Sequence, residues 1–551
     1  MNKTFLGVSL GLAAVVLSLA GCGGGGSPPA PPDPTLAQTQ QGAVKGVAAS
    51  GVMQFLGVPY AAAPTGALRW KPPAAALPHV NTLLADTPGA QCLQAGPPPT
   101  FTPTGSEDCL FLNIYRPEAA PAAPLPVIVA IHGGGYTVGS SAFQNGTSLA
   151  KNNNVILVSI NYRLHALGFL AHPALTAEDA TTHASGNYGL MDQAAALAWV
   201  KQNIAGFGGD PANVTITGGS AGGLSVFAHM ASPMSAGLFA KAAPQSGGFS
   251  RVQASLAQAE AGGTFFTGPW NCNGAGTNAQ VATCMRNLPA AATLAGSLPP
   301  PIGGTGIPSS WLPIVDGRFL TTSTSLAFSS GNFAKVPVMT GVVDDEGTFF
   351  VSAAFGQAPI NAGTYEPVGI GGYLGLPSPA AVSALYPPGA YTTPNQALAR
   401  VYGDYRVICG IMQDTENIAS ALPASAKAYV YQFSEKSPYT NALSLSNRLP
   451  PNDNITYGAF HGADVNYWYD QMTGTTTAAQ LQLAQAMSKS FANFARTGNP
   501  NVDGTLPQWQ PYSASQRGVI NFTHSVSTAN VDAYGAHKCS FWYGQPPSTR
   551  L

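Results

Sequence analysis

Charge is what this sequence has least of. Only 9% of its 551 residues are Asp, Glu, Lys or Arg, and 23 basic side chains face 24 acidic ones for a net charge of −1. A globular chain ordinarily carries about one quarter charged residues. No basic face is available for a phosphate backbone, which excludes nucleic acid as a partner, and no acidic tail is present. Polar surface must come instead from Ser, Thr, Asn and Gln, a composition associated with exported proteins. Residues 41–547 also lack a repeat period and an internal linker. Solenoids and strings of small domains are thereby excluded, and one large domain over 41–551 is expected. No CxxC and no paired-histidine spacing occurs, so no metal centre is expected.

Long apolar runs are scarce as well. The one at the N-terminus, Phe5 to Ala20, follows Lys3 and is too short to span a bilayer comfortably. With Leu19-Ala20-Gly21-Cys22 it resembles a bacterial lipoprotein signal, which implies cleavage after residue 21 and acylation of Cys22. The following GGGGSPPAPPDP combines Gly flexibility with Pro reach, so 22–40 reads as a tether that does not pack. Gly23 rather than Asp after the cysteine implies outer-membrane sorting. The expected location is therefore a bacterial outer-membrane lipoprotein, periplasmic or at the cell surface, touching membrane only through Cys22. The alternative is a simple secreted protein.

Six further cysteines remain: Cys92, Cys109, Cys272, Cys284, Cys409 and Cys539. An even count in an exported chain suggests three disulfides, although six cysteines allow about 15 connectivities. Proximity favours Cys92–Cys109 and Cys272–Cys284, leaving Cys409–Cys539. The two short loops are each worth about 3 kcal/mol in the chain-entropy model.

The stretch around which the rest is organised is Val214-Thr215-Ile216-Thr217-Gly218-Gly219-Ser220-Ala221-Gly222. Four β-branched residues bounded by glycine read as a short buried strand, and Ala221 to Met230 can continue as a helix. Gly218, Ser220 and Gly222 fill G-x-S-x-G between them. Glycines suit a strained elbow in which two backbones pass closely, and the serine then projects beside the helix N-terminus. Upstream, Val127 to Ile131 reads as a strand ending at His132-Gly133-Gly134-Gly135-Tyr136, a loop whose amides can face an anion. Further strands are expected at Ala43–Val47, Val52–Val58, Leu110–Tyr115, Val155–Asn161, Val336–Thr340 and Ala428–Phe433, and helices at Leu190–Ile204 and Leu481–Arg496. Strand, helix, strand in succession predicts an α/β fold with a parallel sheet.

A serine hydroxyl needs a base, and the base needs a carboxylate to hold its tautomer. The order Ser, acid, His, each on a loop after a strand, is met by Ser220, Glu346 and His461. Asp344 and Asp345 compete with Glu346, and charge chemistry alone does not separate the three. Among nine histidines, His461 has turn glycines at 458 and 462. His132 is expected to shape its loop, His79, His165, His172 and His183 precede the serine, and His229 lies on the elbow helix. His524 and His537 come late, without flanking glycines.

The chain resembles the type-B carboxylesterase and cholinesterase-like branch of the α/β-hydrolases. The matching passages are Ala63-Pro64-Thr65-Gly66-Ala67-Leu68-Arg69-Trp70, Ser106-Glu107-Asp108-Cys109-Leu110, Asn161-Tyr162-Arg163, Gly186-Asn187-Tyr188-Gly189-Leu190-Met191-Asp192-Gln193, Gln245-Ser246-Gly247 and Asp345-Glu346-Gly347-Thr348. The resemblance implies Ser220 as nucleophile, Glu346 as acid and His461 as base, with Gly134, Gly135 and Ala221 as oxyanion-hole donors and no cofactor. It also implies the three cysteine pairs and two structural ion pairs, Arg69 with Glu107 and Arg163 with Asp192. The implied activity is hydrolysis of small-molecule or polymeric esters, polyester and polyurethane included. A non-catalytic, adhesion-type member is the alternative of another class.

One departure bears on substrate. The family's Gly-Glu-Ser-Ala-Gly has Gly219 here in place of Glu, and the Cys92–Cys109 loop holds no Trp for a cation–π platform. Both point away from choline esters. An ungapped comparison puts Ile307 and Ser309 at the acyl-pocket positions, implying a roomier pocket than two Phe would leave.

Overall fold

The protein is described by a computed structural model. The described residues are 33–96, 102–119, 121–295, 311–356, 358–436, 454–472, 476–501, 506–524 and 528–546. Cys22 and the acyl-pocket candidates Ile307 and Ser309 lie outside them.

Short β-branched runs assemble into one eleven-stranded sheet. In chain order its strands are β1 (Val47–Ala49), β2 (Val52–Pro59), β3 (Phe111–Pro117), β4 (Leu125–Ile131), β5 (Ile156–Ile160), β6 (Gly209–Gly219), β7 (Lys241–Gln245), β8 (Val338–Val343), β9 (Ala428–Phe433), β10 (Val519–Phe522) and β11 (Thr528–Val531). Their spatial order is 11-10-9-8-7-6-4-5-3-2-1. From β5 through β10 every neighbour in that order is parallel. The first three strands and β11 add antiparallel edges.

Parallel neighbours require crossovers, and helices supply them. Helix α1 (Tyr188–Asn203) lies between β5 and β6, α2 (Ala221–Ala231) between β6 and β7, α3 (Gly347–Phe355) after β8, and α4 (Ala478–Thr497) after β9. The sheet is consequently buried on both faces. Along β4, Val127 and Val129 enter one core while Ile128 and Ala130 enter the other, and all four are inaccessible. Burying each such valine or isoleucine is worth about 2 kcal/mol. Helix α4 starts on a Thr477–Gln480 capping box and stops at Gly498, φ 80°. Its Leu483, Met487, Phe491 and Phe494 repeat at helical spacing into the second core.

The α/β class holds, with local differences from expectation. The segment read as tether already contains a strand, Leu36–Thr39, paired antiparallel with Gly42–Lys45. Ala37 and Val44 are buried there, so residues 36–40 pack rather than hang free. The Gly209-Asp210-Pro211 passage is part of β6, accommodated by a register shift between Gly209 and Val214. Strand β8 starts at Val338 because Pro337, just before it, has no N–H to give a ladder.

Disulfides join Cys92 to Cys109, Cys272 to Cys284 and Cys409 to Cys539. Arg69 pairs with Glu107 at 2.6 Å and Arg163 with Asp192 at 2.7 Å. The site lies where β4, β6, β7 and β8 end, at the carboxyl edge of the sheet.

Candidate active site

Strand β6 delivers Ser220 into a turn that opens directly into α2. Its backbone sits at φ 59°, ψ −123°, a combination that residues with a Cβ rarely adopt. The motif glycines are explained by close approach. A Cβ on Gly218 would stand 2.5 Å from the Ile131 carbonyl oxygen, and one on Gly222 only 2.2 Å from it. Gly219 is different. A Cβ there would meet only a Val465 methyl at 3.3 Å and Gln245 Oε1 at 3.7 Å. Gly218 and Gly222 are thus demanded by backbone, whereas at Gly219 a Cβ would be tight only against a side-chain methyl.

The glycine loop leaving β4 lies against this elbow. A Cβ on Gly133 would be 2.6 Å from the Gly219 carbonyl and 3.2 Å from Ser220 Cβ. Gly134 and Gly135 have φ of 106° and 63°. The Gly134 carbonyl accepts from the amides of Thr137 and Val138, both at 3.1 Å, folding the loop onto itself. The N–H groups of Gly134 and Gly135 donate to no carbonyl among the described residues. His132 stacks on Tyr162 with ring centroids 4.3 Å apart, and its Nδ1 lies 2.8 Å from the Gly133 carbonyl. Burial pushes its pKa down to about 4, so it is neutral and acts as a loop support.

The acid turn follows β8 and the histidine turn follows β9. A bridge between Asp345 and Phe460 aligns the two turns. His461 Nδ1 lies 2.5 Å from Glu346 Oε2, and both side chains are buried. The other Glu346 oxygen accepts from the Val343 amide at 3.1 Å. Geometry separates the three acids that the sequence left in competition. Asp344 faces Arg400 at 3.1 Å, and Asp345 accepts from the Ala459 amide at 2.9 Å. Gly458, at φ 59°, is required here, because a Cβ would run into the Asp345 carboxyl at 2.1 Å. The Phe249 and Phe350 rings stand 5.3 and 4.9 Å from the His461 ring and wall it in.

His461 Nε2 is buried and has no hydrogen-bond partner among the described residues. Ser220 Oγ is accordingly not hydrogen-bonded to it. The histidine turn nevertheless reaches the elbow, since a Cβ on Gly219 would stand 3.3 Å from a Val465 methyl. Two late histidines also hold carboxylates, which their sequence context does not reveal. His524 pairs with Glu435 and is half exposed; His537 pairs with Asp404 at 2.6 Å and is fully buried. The second ring nitrogen of His537 faces Gln432 Oε1 at 3.1 Å, so it has none left to receive a hydroxyl proton. His229 is engaged on both nitrogens by Ser235 and Gln193. No cluster of ligands fit for a metal ion occurs among the described residues. Phe249, Phe350 and Val465 went unread in the sequence, where nothing distinguishes them from ordinary core residues.

Comparison with known proteins converges on one family. The profile of the carboxylesterase family matches residues 33–367 and 382–542. Fumonisin B1 esterase of Sphingopyxis macrogoltabida is 33% identical over 508 residues, covering 89% of this chain and 86% of its own. Acetylcholinesterase of Bungarus fasciatus is 30% identical over 543 residues, covering 92% and 85%. Acylcarnitine hydrolase of Mus musculus is 33% identical over 492 residues, covering 84% and 81%.

Proposed function

The chain belongs to the carboxylesterase family, is a carboxylic ester hydrolase of α/β-hydrolase fold, and on that premise we propose that Ser220, His461 and Glu346 cleave esters through an acyl-enzyme. His461 Nε2 takes the proton of Ser220 as Oγ bonds to the ester carbonyl carbon. The oxyanion so formed is held by the amides of Gly134, Gly135 and Ala221, each worth about 3 kcal/mol in the transition state. Collapse breaks the carbon–oxygen bond to the alcohol, which leaves with the proton from His461. Water then attacks the acyl-serine, giving a proton to His461. A second collapse frees the acid and restores the Ser220 hydroxyl. Glu346 stabilises the imidazolium at each stage.

The observation that carries this reading is an imidazole held at Nδ1 by a buried carboxylate, with Nε2 unclaimed, on a turn that touches the serine elbow. Catalytic hydrogen bonds in free enzymes are often long and tighten only with substrate bound, so the open Ser220–His461 gap is compatible with it. All three side chains are intact, which speaks against a purely binding role. The test is Ser220→Ala. Turnover of p-nitrophenyl esters is abolished with the fold retained, and persisting turnover would refute the assignment.

For substrate, neutral rather than choline esters are proposed. Gly219 brings no carboxylate beside the nucleophile, and a side chain there would face a Val465 methyl and the Gln245 amide. A second reading makes attachment at Cys22 central, with polymeric esters as substrate, on the strength of the N-terminal signal. No helix among the described residues is long and apolar enough to cross a membrane. Cys22→Ala then releases activity from the membrane pellet and slows clearing of polymer suspensions; unchanged pelleting counts against the anchor.

A further inference from the structure

We propose that Gln94, a residue remote in sequence from every triad member, positions the oxyanion hole by clamping the exit of the glycine loop. The inference rests on the serine-esterase reading above. Its side chain is buried and makes a two-point bracket to a single backbone residue. Nε2 donates to the Gly139 carbonyl at 2.9 Å, and Oε1 accepts from the Gly139 amide at 2.9 Å. A primary amide is the side-chain group that offers a donor and an acceptor in this fork.

Gly139 is where the clamp has leverage. It closes the loop His132–Gly139 at φ 126°, and a Cβ on it would stand 2.3 Å from His132 Nδ1 and 2.6 Å from the Gly133 carbonyl. Moving Gly139 therefore moves Gly133, which itself abuts Ser220. One end of the loop is fixed by β4 and its middle by Tyr136, whose carbonyl accepts from the His165 amide at 2.6 Å. The exit has the Gln94 bracket.

Gln94 is itself held firmly. It lies two residues from Cys92, whose disulfide to Cys109 closes the segment, and Nε2 also reaches the Cys92 carbonyl at 3.0 Å. The preceding Leu93 carbonyl accepts from His165 Nε2 at 2.6 Å. Burial depresses the His165 pKa, so the neutral ring spends its proton on this bond. The Cys92-Leu93-Gln94 stretch thus supports the loop carrying Gly134 and Gly135. Donors aimed at a developing oxyanion act only if held within a fraction of an ångström, so a loosened exit costs rate more than ground-state binding.

The test uses the full chain with Gln94→Met, of similar length but without hydrogen bonds, and Gln94→Glu, whose carboxyl, kept neutral by burial, offers an O–H donor beside an acceptor. Turnover of p-nitrophenyl butyrate per titrated active site, KM and inhibition by a trifluoromethyl ketone, which mimics the tetrahedral adduct, are read together. The expected result for Gln94→Met is a kcat lower by about 10- to 100-fold, KM within about threefold, and ketone affinity falling in step with kcat/KM. Gln94→Glu is expected to recover part of the loss, and it carries the comparison alone if Gln94→Met fails to fold. Unchanged kcat per site, a change in KM alone, or lost kcat with undiminished ketone affinity each overturns the role of Gln94. Ser220→Ala run alongside separates the two levels. If it is inactive while Gln94→Met is normal, only the clamp falls; if it is active, the serine reading falls with it.

Discussion

His461 Nδ1 and Glu346 Oε2 are 2.5 Å apart, and neither side chain is accessible to solvent. That contact fixes which imidazole nitrogen carries the proton and leaves Nε2 as the acceptor. His537 shows what the arrangement would lack if it were merely structural: an equally buried histidine on Asp404, but with its second nitrogen also satisfied.

Replacing Glu346 with Gln keeps the shape and removes the charge. Nδ1 then loses its carboxylate, and the imidazolium formed during attack has no counter-charge. We expect kcat to fall by about 10³- to 10⁴-fold with the melting temperature nearly unchanged. Steady-state kinetics with calorimetry checks this, and retention of more than about a tenth of the activity contradicts it.

Gly219→Glu restores the carboxylate that the family usually places beside the nucleophile. A Cβ here would press on a Val465 methyl at 3.3 Å, a side-chain contact that a shift of a few tenths of an ångström relieves, and no backbone atom stands in its way. The ratio of kcat/KM for a choline ester over its neutral isostere should rise about tenfold, the effect of ~1.4 kcal/mol of charge attraction. An unchanged ratio in a folded variant would show that the missing carboxylate does not set the substrate preference.

Acid should unfold the protein through its buried histidines. Burial lowers His132 and His165 to about 4 and His229 to about 3, whereas the unfolded chain binds these protons near 6.5. The folded state therefore holds fewer protons. Stability is intact above about pH 6.5 and is lost as pH falls toward 4, by about 3 kcal/mol for His132 alone. Asp345 and Asp464, whose carboxyl pKa values burial raises, act in the opposite sense and partly offset the loss. Melting temperatures should drop across this interval and drop less steeply in His229→Gln; a flat profile is the contrary result.

The parts legible in the sequence are those in which local chemistry and packing agree. The elbow reads correctly because Gly218 and Gly222 are where β4 leaves no room for a side chain. The last long helix reads because its period and the glycine after it agree, but its start on the Thr477–Gln480 capping box, ahead of Leu481, does not. Strand β7 does not read, since Lys-Ala-Ala-Pro-Gln has no β-branched residue and a proline at its fourth position. It is a strand because β6 and β8 pair with it from either side. Asp344, Asp345 and Glu346 are chemically alike along the chain, and only the turns brought together by the Asp345–Phe460 bridge tell them apart. Gln94 carries no local signal, because its partner Gly139 is brought to it by the fold alone.

The φ of 59° at Ser220 has a consequence for evolution as much as for chemistry. A side chain held in so sparsely populated a conformation costs about 1–3 kcal/mol, a strain that glycine would relieve. Ser220→Gly should therefore melt higher than the parent while hydrolysing nothing. Drift toward thermal robustness at this single codon runs against activity, and only selection for the reaction keeps a serine there.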